Sequence, residues 1–186
     1  RLSLVGSEMC IRDSNSSMEE VFVSIRQIAA ALGIVPRGLQ LDQSIRRRLS
    51  DLERVAKSKP SRSLLFIVGR TPGTLEGMIA VGRGSFLNEL IRIAGGRNVF
   101  SDSPVTYPSI SMESVVRLAP DVVVDMGDMS ETTGVTEAHK RAVTQLWKSQ
   151  PGVRANIHAV ASDIFVVPGP RIAEAAEAFA KMLQGN

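Results

Sequence analysis

The chain has one cysteine, one tryptophan and one tyrosine, and aromatic side chains make up only 4% of its 186 residues. A single thiol rules out a disulfide within the chain. Scarce aromatics leave few platforms for stacked nucleobases. The formal charge of +3 is spread along the sequence apart from Arg46-Arg47-Arg48, which has Asp42, Asp51 and Glu53 around it. A nucleic-acid footprint needs a denser basic stripe with aromatics interleaved. There is no apolar run of the roughly 18 residues that a membrane span requires. The two histidines, His139 and His158, lie far apart in sequence with no third ligand at metal-binding spacing, which argues against a bare zinc or manganese site. Residues 69–74 lack the Lys-Ser/Thr of a P-loop, and Gly82-Arg83-Gly84 lacks the third glycine of a dinucleotide fingerprint. No serine is followed by a plausible base and orienting acid, and no paired carboxylates stand out, so an enzyme has little to work with.

What is present is ordinary globular composition, with 44% hydrophobic and 22% charged side chains, enough for one well-buried domain with additional helix. The first fourteen residues, RLSLVGSEMCIRDS, resemble a translated sequencing-adapter read-through at the end of a metagenomic reading frame and are set aside as a non-native segment. They contain Cys10, so the remainder has no thiol, which fits an oxidising compartment.

Apolar residues at spacings of three and four predict a helix over residues 18–32, stopped by Gly33, and a second, longer one through Leu41, Ile45, Leu49, Leu52 and Val55. Leu64-Leu65-Phe66-Ile67-Val68 is a continuous apolar run closed by Gly69, the pattern of a strand buried on both faces. Short strands are expected at 78–81, 99–100, 122–124, 157–160 and 165–167. Helices are expected at 85–94, at 111–118 behind a serine cap, at 137–148 and at 170–183 with proline at its start. Residues 127–134 read as a connecting segment. Alternating strands and helices imply a three-layer α/β fold with a mostly parallel sheet over residues 61–186, with ligands met at the carboxyl ends of the strands.

The run Gly84-Ser85-Phe86-Leu87-Asn88-Glu89-Leu90, then Gly95-Gly96-Arg97-Asn98-Val99-Phe100, Tyr107-Pro108, Ser111-Met112-Glu113, Ala119-Pro120-Asp121-Val122, Ser162-Asp163 and Pro170-Arg171 resembles, in order and spacing, the helical-backbone substrate-binding proteins of ABC importers. These carry vitamin B12, iron siderophores or haem between two α/β lobes joined by one rigid helix. The resemblance implies that residues 15–38 are the remnant of a first lobe that is otherwise missing, 39–60 the inter-lobe helix and 61–186 the second lobe. It also implies an extracytoplasmic carrier, free in a periplasm or held by a lipid anchor, with its signal peptide lost along with the first lobe. No intrinsic cofactor is expected. Membrane contact would come only through the permease or a lost anchor.

Within that frame Glu113 is expected to dock on the ABC permease, together with a glutamate of the missing lobe, because an exposed carboxylate steers association without locking it. Arg70, Thr71 and Pro72 fall at the carboxyl edge of the first buried strand, where Arg70 is suited to a ligand carboxylate or phosphate. Tyr107 would offer a flat face to a macrocycle. Asp163, Ile164 and Phe165 occupy the loop where vitamin B12 binders of the family place an aromatic residue against the corrin, with Ile164 at the corresponding place or Phe165 if the loop shifts by one. Cobalamin or another corrinoid is the leading ligand, with a ferric siderophore or haem as the alternative. A chelatase-like enzyme acting on tetrapyrroles shares the lobe architecture, as would a lobe of a larger receptor or sensor. Arg171 reads as a helix-start residue, and Trp147 as a packing residue.

Overall fold

The computed structural model describes residues 17–127 and 136–185. The adapter-like segment and nearly all of the connecting segment 127–134 lie outside the described residues. Six helices and six strands follow in the order α1 (Met18–Ala31), α2 (Val35–Ala56), β1 (Arg62–Gly69), β2 (Met78–Ala80), α3 (Phe86–Ile93), β3 (Gly96–Asn98), β4 (Ser109–Ile110), α4 (Met112–Leu118), β5 (Val122–Asp125), α5 (Glu137–Lys148), β6 (Asn156–Ala159) and α6 (Ile172–Gln184). They form the mixed α/β fold with a mostly parallel sheet that the pattern implied.

The sheet runs β4-β2-β1-β5-β6, with β3 paired to the amino half of β1. β1, β3, β5 and β6 are parallel, and β2 is antiparallel to both β1 and β4. Successive strand residues point to opposite faces, and in β1 and β5 both faces are buried. Leu64, Phe66, Val122 and Val124 meet α3 and α6 on one side. Leu65, Ile67 and Val123 meet Val115 of α4 and Val143 and Trp147 of α5 on the other.

Local chemistry sets the helix ends. Ser17 and Glu20 form a reciprocal capping box on α1, Ser85 caps α3, Ser111 caps α4 and Thr136 caps α5, each satisfying backbone N–H groups that a helix start leaves free. α2 begins four residues earlier than the expected connector, because Pro36 sits in its first turn, where a missing N–H is harmless. α1 and α2 then cross so closely that a Cβ on Gly38 would overlap that of Ala29. The pair lies over α3 and α6 as a further layer, through Ile45 and Leu49 in the common core, an Arg48–Glu177 pair to α6 and an Arg92–Glu53 pair from α3.

Three short segments differ from the pattern, the first being β4, a strand that was not expected. The extended piece expected at 99–100 lies just upstream as β3. The strand expected at 165–167 is instead a 3-10 turn over Asp163–Phe165, because the Phe165 side chain turns into the core rather than alternating along a strand.

Candidate functional site

The parallel strands direct their carboxyl ends to one edge. β1 ends at Gly69 and leads into residues 70–77, β5 ends at Asp125, and β6 ends at Ala159 before the segment leading to α6. β4 pairs with β2 such that Ile110 lies opposite Met78, next to the end of β1. The first turn of α4, carrying Glu113, therefore opens at this same edge. Glu113 is exposed.

Thr71, Pro72 and Gly73 are exposed at the tip of the β1–β2 loop. The loop is closed by Thr71 N–H donating to the Glu76 carbonyl at 2.9 Å and Thr74 N–H to the Thr71 carbonyl at 3.2 Å, with Gly73 in the left-handed region at φ +71°. Thr71 and Pro72 thus face solvent at the carboxyl edge. Arg70 does not. Its side chain is 3% exposed and paired with Asp125, Nε to Oδ2 at 2.9 Å, while Nη1 donates to the Thr74 carbonyl at 2.9 Å. The expectation that Arg70 reaches a ligand anion is corrected on this ground: a carboxylate at the end of the neighbouring strand, which sequence spacing did not reveal, draws the guanidinium inward.

In the β6–α6 segment the three expected residues part company. Asp163 is exposed and paired with Arg171, whose guanidinium holds the Asp163 carboxyl below the usual carboxylate range. Ile164 is half-buried against the core. Phe165 is 2% exposed, with its ring centroid 5.6 Å from that of Phe66 and 5.1 Å from that of Phe179. Phe165 is therefore a core residue and not a ligand face, which corrects that expectation. Arg171 precedes α6 as its cap residue, as its position suggested. Tyr107 is 47% exposed, and its hydroxyl lies 3.4 Å from Ser85 Oγ at the start of α3. The edge thus gathers Thr71, Pro72, Glu113, Asp163 and Ile164, while Tyr107 stands ahead of β4 beside α3.

Sequence reasoning missed the group that organises this edge. Asp125 is 1% exposed. Its Oδ2 accepts from Trp147 Nε1 at 2.5 Å as well as from Arg70, and its Oδ1 accepts from the Gly127 N–H at 2.6 Å. The available signal was the single Asp closing a run of three valines, two residues before a glycine. Beside this group, Arg70, Pro72, Gly73, His139, Ala142, Val143 and Leu146 line a cavity of about 340 Å³ with mostly apolar walls. A second recess of about 410 Å³ lies at the opposite edge, around Arg62, Asp121, Arg154 and Asn156. Among the described residues no cluster of His, Cys, Asp or Glu is arranged to hold a metal ion, and no helix is long and apolar enough to cross a membrane.

The model of the family described as periplasmic binding protein matches residues 7–164. A vitamin B12-binding protein of Photorhabdus laumondii is 32% identical over 99 residues, which are 53% of this chain and 32% of that protein. An uncharacterised ABC transporter substrate-binding lipoprotein, YvrC of Bacillus subtilis, is 27% identical over 171 residues, 90% of this chain and 51% of that protein. The chain thus spans at most about half the length of these relatives. Among solved structures, an ABC-type Fe3+-hydroxamate transport system from Saccharomonospora viridis superposes with a TM-score of 0.73 at 21% identity, over 91% of this chain and 57% of that one.

Proposed function

The chain belongs to the periplasmic binding protein family, and from that premise we propose that it is the second lobe and connecting helix of an extracytoplasmic carrier that delivers a metal chelate to an ABC permease. Residues 15–38 are then the remnant of a first lobe, α2 is the inter-lobe rod, and the signal peptide or lipid anchor belongs to the absent part. YvrC's description as a lipoprotein supports an extracytoplasmic setting. The observation that carries the reading is the composition of one edge: exposed Thr71 and Pro72 for a ligand, and an exposed carboxylate, Glu113, opening a helix at the same edge for a docking partner.

A corrinoid is the leading ligand, supported by the vitamin B12-binding relative. A ferric hydroxamate is the alternative, favoured by the fold shared with a hydroxamate transport protein, and haem is a further one. The edge suits a neutral or weakly charged macrocycle better than a strongly anionic one, because Arg70 is already neutralised by Asp125. Function here is binding, in keeping with the family's description as periplasmic binding proteins.

Titration of this chain with cyanocobalamin, ferric desferrioxamine and haemin, followed by absorbance, tests the reading. Weak, saturable, stoichiometric binding of one chelate is expected, since burying most of a ligand needs walls on both sides. Glu113→Arg should leave that binding unchanged and abolish association with the cognate permease in membranes. Metal insertion into a free tetrapyrrole, or failure of all three chelates to bind at millimolar protein, would overturn it.

A further inference from the structure

Three segments of the carboxyl edge converge on one carboxylate. Asp125 ends β5. It accepts the Gly127 N–H from the turn that leaves the strand, the Trp147 indole N–H from α5, and the Arg70 Nε–H from the β1–β2 loop. Arg70 then passes the constraint on. Its Nη1 donates to the Thr74 carbonyl, across the loop tip and four residues along, and more distantly to the Thr71 carbonyl. The carboxylate and the guanidinium are almost wholly buried, at 0% and 3%. Apart from this staple the loop is held by four local bonds: Thr71 N–H to the Glu76 carbonyl, Thr74 N–H and Thr74 Oγ1–H to the Thr71 carbonyl, and Glu76 N–H to Thr74 Oγ1 at 3.2 Å. Its tip residues Thr71, Pro72 and Gly73 are exposed, and its apolar anchor is Leu75, which packs against the core behind the tip.

A loop with so few contacts of its own would sample many conformations, and a ligand meeting it would have to select or order one. The Arg70 fork removes that freedom in advance: one side of its planar guanidinium faces the Asp125 carboxylate and another faces the backbone of the loop. A lysine ammonium cannot hold both contacts in one fixed plane. Because the pair lies in the interior, water does not compete for these bonds as it does for a surface ion pair.

We propose that Asp125 is the positioning residue of the ligand-facing β1–β2 loop, acting through Arg70 to hold Thr71–Thr74 in their binding shape before a ligand arrives. This rests on the carrier reading for what the loop is used for, but not for how it is held. The role differs from core stability. Trp147 and Gly127 donate to the same carboxylate, and their bonds to Asp125 anchor α5 and the β5 turn, whereas the Arg70 contact carries the constraint by hydrogen bonds to the loop backbone.

Hydrogen–deuterium exchange of the ligand-free chain, resolved at single amides, tests this. In Asp125→Asn the Thr71 and Thr74 amides should exchange at least about tenfold faster, with the β1 and β5 amides of Leu65, Phe66, Val123 and Val124 unchanged. Arg70→Lys should release the same two amides part of the way. Trp147→Phe, which removes a donor to Asp125 but leaves the staple, should leave them protected. Loop amides unchanged in Asp125→Asn, or accelerated in step with the strands, would overturn the assignment, as would release of the loop in Trp147→Phe. Should Asp125→Asn fail to fold, Arg70→Gln carries the same comparison. The measurement needs no chelate, so failure of this assignment and failure of the carrier reading are seen in separate experiments.

Discussion

Asp42 on α2 lies 2.6 Å from Arg26 on α1, and accepts a second guanidinium, that of Arg46, also at 2.6 Å. Glu19 receives the far ends of both arginines, and the Arg46 guanidinium lies 3.7 Å above the Phe22 ring. The two helices are thus joined by a four-member charge network with a cation–π contact at its centre, where Gly38 and Ala29 already bring the backbones close.

The Asp42 side chain is only 8% exposed. Its burial raises the carboxyl pKa, but the hydrogen bonds from Arg46 and Arg26 outweigh that and hold it below the ordinary 3.8. A depressed folded pKa means stability that is fully present above the unfolded value and lost as pH falls through the folded one. Asp42→Ala should therefore cost about 1–2 kcal/mol at pH 7, because it removes the buried acceptor that two part-exposed arginines share and leaves Glu19 as their one partner in the network. The difference from the parent should shrink below about pH 3.8. Urea unfolding at pH 7 and pH 3 measures both.

His158 acts in the same direction at higher pH. Burial lowers its pKa below 6.5, opposed by the backbone of Met182 and aided by the nearby charge of Arg62; its Nε2 is buried without a hydrogen-bond partner among the described residues. The unfolded chain then binds a proton that the folded chain resists. Stability should fall as pH drops from about 7 through 6.5 toward the folded value, and level off below it. His158→Phe should flatten that slope in thermal melts between pH 7.5 and 5.

Ala119 ends α4 in the left-handed region, at φ +42°, the one non-glycine residue with positive φ among those described. A β-carbon is disfavoured there, and the following Pro120 prevents the helix from continuing. Ala119→Gly should raise stability by about 0.5–1 kcal/mol in calorimetry. An equal or lower melting temperature would show that the strain is not relieved.

Phe165 and Ile164, adjacent in sequence, should separate by what they do. Phe165→Ala removes one ring of the Phe66–Phe165–Phe179 cluster and should destabilise by about 3–4 kcal/mol through the cavity left behind. Ile164→Ala should cost about 1–2 kcal/mol and act mainly on chelate affinity. Denaturant midpoints read alongside cyanocobalamin titration distinguish the two.

Much of this architecture was legible because it is periodic. The apolar run 64–68 and the valines at 122–124 read as strands buried on both faces, and Ser111 announces a helix start by its own chemistry, as Ser17, Ser85 and Thr136 prove to do in the structure. What escaped was chemistry between distant segments. Arg70 looks like a ligand residue from its place after a strand, and only its 55-residue reach to Asp125 shows otherwise. Phe165 fits a strand by composition, yet the space between Phe66 and Phe179 turns it inward. Sequence spacing speaks for neighbours along the chain, whereas partner choice in the interior is decided by strand order.

The lone indole of the chain is wholly buried at the floor of the carboxyl edge, in contact with the carboxylate that ties the loops together. Its emission therefore comes from a single known place, with no second fluorophore of its kind to confuse the signal. Corrins, haems and ferric hydroxamates absorb in the near ultraviolet and visible, so a chelate seated above Thr71 and Pro72 would act as an energy acceptor a short distance from Trp147. The fold carries its own optical gauge of occupancy, and no label need be attached to read it.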